Sequence, residues 1–205
     1  MNRFRVYLVY APGVDFSSHV RGYDSLRDRI NECGSPEYQK EYRSFWAMNV
    51  ARLPKEFYDG YSKLLSQGVR TGVTPGNIAM ELLSHPGSAH EQPRLQYSFA
   101  SKLLHMLDPS QPIYDSKVAA FYFYIPPNVK SPDQKAINLD EFHSFLTLEY
   151  QRILRDGLLH DAIKLFRQVY EPVWFTDEKI IDSLIWAFVD TLNKWPSIER
   201  GIMYE

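Results

Sequence analysis

Residues 97–124, Tyr-Ser-Phe-Ala-Ser-Lys-Leu-Leu-His-Met-Leu-Asp-Pro-Ser-Gln-Pro-Ile-Tyr-Asp-Ser-Lys-Val-Ala-Ala-Phe-Tyr-Phe-Tyr, read as a helix, a proline-bounded connection and a second helix that opens on an acid. Phe99, Leu103, Met106 and Leu107 recur at helical spacing, while Ser98, Lys102 and His105 fall on another face. Asp108-Pro109 ends the first helix, and Pro112 forces an extended entry into Ile113-Tyr114. Asp115 stands at the N-cap position ahead of the apolar run Val118-Ala119-Ala120-Phe121. The stretch brings one lysine and one carboxylate to neighbouring helix ends.

The flanks extend the helical pattern. Upstream, residues 4–10 form a β-branched and aromatic run, and residues 1–20 are expected as an extended N-terminal arm. Asp24 to Cys33 suits a short helix closed by Gly34, and Ser35-Pro36 starts another that the pattern carries to about Leu53, with Tyr42, Phe45, Trp46, Asn49 and Val50 inward. Pro54 opens a helix closed by Gly68, and Thr74-Pro75 starts a short one. Residues 84–96 have loop composition, as do residues 125–136. Asn138 and Glu141 form a capping box ahead of a long amphipathic helix; Gly157 bends or breaks it, and Pro172 ends the pattern. Thr176 begins the last helix. The fold class expected is all-α: one compact domain, residues 1–205, of about eight helices.

Bulk properties narrow the classes. A chain of 205 residues with 44% hydrophobic and 15% aromatic content can bury a sizeable core. A net charge of −2 argues against binding nucleic acid over the whole surface, though not against a local basic face. One cysteine excludes an internal disulfide, a cysteine-built zinc site or an iron–sulfur cluster held by this chain alone. No apolar run approaches the ~20 residues of a membrane span, and the first residues lack the apolar stretch of a signal peptide. A cytoplasmic monomer with no membrane association, no cofactor and no metal is expected. Phosphate loops, His-Glu-x-x-His and nucleophile elbows are absent. The remaining chemistry is Lys102 with Asp115: desolvation would make the amine nucleophilic, and the carboxylate would steady a cation.

Phe99-Ala100-Ser101-Lys102-Leu103-Leu104-His105-Met106-Leu107 followed by Pro112-Ile113-Tyr114-Asp115-Ser116-Lys117-Val118-Ala119 resembles the catalytic segment of the helix-hairpin-helix DNA glycosylase superfamily, in its 8-oxoguanine-glycosylase-like branch. Lys179-Ile180-Ile181-Asp182-Ser183-Leu184-Ile185-Trp186 is similar to the closing helix of that branch. The resemblance implies a DNA glycosylase, or glycosylase/AP lyase, with Asp115 as catalytic carboxylate and Lys102 as Schiff-base nucleophile. It implies damaged or modified DNA as partner, His105, Tyr114, Trp46 and Tyr97 as substrate-binding residues, and Ser116 and Lys117 at the DNA backbone. Where the family carries a glycine-rich hairpin, this chain has His85-Pro86-Gly87-Ser88-Ala89 with one glycine. That departure leaves a second expectation: a non-catalytic helical DNA- or protein-binding module on the same scaffold. Arg152, Arg155, Lys164 and Arg167 suit a solvated face better than a DNA-facing stripe.

Overall fold

The structure is a computed structural model that describes residues 15–68, 72–84 and 94–194. Among these residues there are nine α-helices, two short 3-10 helices and no strand, arranged as one compact all-α body. The helices are α1 (Phe16–Asp28), α2 (Pro36–Phe45), α3 (Lys55–Gln67), α4 (Pro75–Leu83), α5 (Tyr97–Leu107), α6 (Ser116–Phe121), α7 (Pro132–Arg155), α8 (His160–Tyr170) and α9 (Asp177–Lys194). The β-branched and aromatic run over residues 4–10 and most of the loop at 84–96 lie outside the described residues.

Helix starts follow capping chemistry. Ser35, Thr74, Asp115 and Ser131 each accept a hydrogen bond from a first-turn backbone N–H. At Thr74 the Asn77 side chain returns the bond to complete a capping box. Gly68 and Gly157 take positive φ of 75° and 64° at breaks in the pattern; Gly157 separates α7 from α8.

Three boundaries differ from the sequence reading. Residues 15–20 are not an extended arm: Asp15 caps α1, which buries Phe16, Val20, Tyr23 and Leu26. Gly22 inside this helix admits Phe45, which a Cβ there would meet at 2.9 Å. The helix begun at Pro36 ends at Phe45, because Ala47 turns the chain through a left-handed φ of 53° and Trp46 folds inward. Val50, expected inward, is exposed. The long helix starts at Pro132 under Ser131, about two turns before the Asn138 and Glu141 box, so residues 132–136 are helical.

Two packings place the centre of the molecule. Helix α4 lies against α5 and α7, and α6 lies against α9. Asp140 on α7 locks the first junction: its carboxylate accepts from Thr74 Oγ1 (2.7 Å), Gly76 N (2.8 Å) and Tyr97 Oη (2.7 Å). Helix α5 is therefore held on both sides, with Ala100, Leu103 and Met106 almost wholly buried. No described helix is long and apolar enough to cross a membrane.

Candidate active site

Helix α5 presents Lys102 to a cavity of about 350 Å³ whose other walls come from α1, the α2 end, the α5–α6 connection and α9. Asp115, Lys179, Asp182, Trp46, Phe45 and His19 share that wall with Lys102.

Asp115 is fixed by its own helix. Both α6 amides, Lys117 N (2.9 Å) and Val118 N (2.8 Å), donate to Oδ1, leaving Oδ2 as the oxygen available to the cavity. The Ser101 hydroxyl accepts from Tyr114 N (3.1 Å), tying the entry to α6 onto α5. The capping role and the cavity role thus use different oxygens of one carboxylate.

The Lys102 ammonium lies 5.2 Å from the Phe99 ring centre and 5.7 Å from that of Trp46. Burial holds the amine below the usual lysine range; Asp115 and Asp182 pull it back up, and Lys179 pushes it further down. Such an amine gives up its proton more readily than a solvated lysine, which a nucleophile requires.

Residues 179 and 182 were not among the sequence candidates. Lys179 is 2% exposed, and its ammonium sits 3.5 Å from Asp182 Oδ2 one turn along α9. Tyr150 donates to Asp182 Oδ1 at 3.2 Å. Burial lowers Lys179 and raises Asp182 to about 6. Burial, and secondarily Lys179, also keep His19 well below the histidine range, so its ring is neutral at pH 7. The sequence signal was available: a Lys/Asp pair at i, i+3 set among Ile180, Ile181, Leu184 and Ile185.

Of the sequence-derived site residues, Lys102, Asp115 and Trp46 converge on the cavity. The other substrate-binding candidates lie off its wall. His105 is 1% exposed and spans the core between Tyr23 Oη (2.9 Å) and the Gln111 carbonyl (2.7 Å). Tyr97 is buried on Asp140, and Tyr114 packs edge-on against Tyr97 and Phe142. Ser116 is exposed at the first turn of α6. Lys117 pairs with Asp190 and sits 3.3 Å from the Trp186 ring centre, so its charge is engaged inside the protein. Among the described residues no His/Cys/Asp/Glu cluster could hold a metal ion. Arg152 and Arg155 pair with Glu149 and Asp156, and Arg167 with Asp177.

No family model matches the chain, and neither does any curated protein or solved structure.

Proposed function

We propose that the protein is a DNA N-glycosylase, or glycosylase/AP lyase, that removes a damaged or modified base of the 8-oxoguanine type. The observation that carries this reading is the convergence of a desolvated amine, Lys102, and a helix-capping carboxylate, Asp115, on one aromatic-walled cavity. An enzyme that cuts a base from its sugar must first extrude the nucleotide into such a pocket and stack it on aromatic groups, here Trp46 and Phe45.

The neutral Lys102 amine attacks the sugar C1′ with its lone pair. The C1′–N bond breaks, and its electron pair leaves with the base, which takes up a proton. Loss of a proton from the attacking nitrogen and opening of the sugar ring give an imine between Lys102 and C1′. Removal of a C2′ proton then expels the 3′ oxygen in β-elimination, and water hydrolyses the imine to restore the amine. Asp115 Oδ2 faces the positive charge that grows at C1′ and the ring oxygen, a fixed acceptor that needs no reorganisation as the bond breaks.

The decisive experiment offers duplex and single-stranded oligonucleotides carrying 8-oxoguanine, uracil or an alkylated base, then adds borohydride and maps the adduct. Base release with an adduct on Lys102 is expected. Release without an adduct would leave a monofunctional enzyme in which Asp115 activates water. No release from any substrate would return the protein to a non-catalytic binding module, the reading that the net charge of −2 and the paired arginines favour.

A further inference from the structure

We propose that Lys179, held in place by Asp182, is a positioning residue whose fixed cation across the cavity helps the Lys102 amine give up its proton and so readies it to attack. The inference takes from the preceding section the reading of Lys102 as nucleophile.

A lysine and an aspartate together in a core are an expensive choice, because well-packed apolar side chains would serve stability as well or better. Lys179 and Asp182 are 2% and 6% exposed and sit on a helix that also buries Ile180, Ile181 and Leu184. Their ion pair is not remote from the chemistry: both residues line the cavity that Lys102 enters from the opposite helix. The two ammoniums also share an aromatic neighbour. The Trp46 ring centre is 5.7 Å from Lys102 Nζ and 5.5 Å from Lys179 Nζ.

The two lysines differ in what stabilises their charge. Lys179 has a carboxylate at 3.5 Å and three ring centres, of Tyr23, Trp46 and Phe175, between 5.5 and 5.7 Å. These partners offset part of the burial that lowers Lys179. Lys102 has two rings and no ion pair among the described residues, and Asp115 is the carboxylate that acts on it most. A cation at Lys179 opposes a second one across the cavity and so favours loss of the Lys102 proton. Charged groups facing Lys102 come from every wall. Asp115 stands at the start of α6, Lys179 and Asp182 on α9, and the Asp190–Lys117 pair bridges α9 and α6. Asp15 at the α1 N-cap and the neutral His19 ring face it from that helix. Of these, Lys179 is the group that pushes the Lys102 proton off, and its influence exceeds that of Asp182.

The test is a pH titration of the lysine 13Cε resonances in the DNA-free protein, read at Lys102. Lys179→Met should raise the Lys102 midpoint and cut its free-amine fraction at neutral pH roughly tenfold, the effect of about one pH unit. Lys179→Arg, which keeps the cation, should leave the midpoint near its original place. Asp182→Asn should move it the opposite way, downward. If Lys179→Met does not fold because it orphans a buried acid, Lys179→Met with Asp182→Asn removes both charges and should still raise the midpoint. A Lys102 midpoint unmoved in the folded variants overturns the proposal, even where borohydride traps DNA on Lys102. A midpoint that moves as described while no DNA is trapped leaves the coupling intact and defeats the glycosylase reading instead.

Discussion

Under the proposed function Asp115 carries two duties on one side chain, a cap and a catalytic carboxylate, and substitution can separate them. Its Oδ1 holds the first turn of α6 through Lys117 N and Val118 N. Asp115→Asn keeps a carbonyl oxygen for that cap but loses the charge, whereas Asp115→Ala loses both. Thermal or urea unfolding should show a loss of about 0.5–2 kcal/mol for the alanine variant and less for asparagine. Single-turnover base release should fall by about 10²-fold or more in both, the usual scale for a lost electrostatic contact in a transition state. An asparagine variant that turns over normally would make Asp115 a cap alone. The cap was legible in the sequence because capping is local: an acid before an apolar run needs no tertiary information. Lys179 and Asp182 were not read as site residues because an i, i+3 pair of opposite charge normally marks a solvated helix face. Only the packing of α9 against α6, α7 and α8 makes it a buried pair. His105 and Tyr97 were misplaced for the mirror-image reason. Each is a buried polar group satisfied by a partner far away in sequence, Tyr23 and Asp140 respectively, and sequence spacing says nothing about such partners.

At the level of elements, the α4–α5–α7 junction turns on a glycine. Gly76 sits at the start of α4 where the Asp140 carboxylate docks, and a Cβ there would fall 2.8 Å from Asp140 Cγ. Gly76→Ala therefore displaces the carboxylate from Thr74 Oγ1, Gly76 N and Tyr97 Oη together. With hydrogen bonds to a charged group contributing ~1.5–3 kcal/mol each and partial relaxation recovering some, a loss of about 2–4 kcal/mol is expected in urea unfolding. Asp140→Ala should reproduce it without the steric cause, leaving the Tyr97 hydroxyl unsatisfied. A Gly76→Ala protein as stable as the parent would mean that the carboxylate can retreat freely. Elements whose ends carry local chemistry, such as Ser35-Pro36, Thr74-Pro75 and Asp115, were legible from sequence. Those shaped by a neighbour were not. Gly22 makes room in α1 for Phe45, and α2 stops at Phe45 without a glycine because Ala47 adopts a left-handed turn that inward packing of Trp46 sustains.

Across the whole molecule, buried titratable groups set how stability depends on pH. Burial pushes His105 down to about 3 and lowers His143. The unfolded chain takes up these protons near pH 6.5, so the stability held by the neutral rings is intact above that value and is lost as pH falls below it. Lys102 and Lys179 act in the same direction at higher pH. The folded protein disfavours their protons, which the unfolded chain keeps to near 10.5, so stability rises as pH climbs toward that value. Asp182 works the other way between 3.8 and about 6, where the folded state holds a proton that the unfolded chain has released. It stands alone against three histidines, His19, His105 and His143. Burial raises Tyr42, Tyr61 and Tyr97, so above pH 10 the unfolded chain sheds protons that the folded one retains, and stability declines again. The maximum is therefore expected between neutrality and about pH 10, on the alkaline side of the common range of ~5 to 8. Thermal melts should give a higher midpoint near pH 9 than near pH 7, and a higher one near pH 7 than near pH 5. Lys102→Met should be more stable than the parent near neutrality, with the advantage shrinking toward pH 10, because it removes a desolvated ammonium that the parent sheds only on the alkaline side. A parent profile that peaks near pH 5 and falls steadily to pH 9 would show that the core lysines keep their protons without penalty, and would remove the physical basis for a nucleophilic amine at this site.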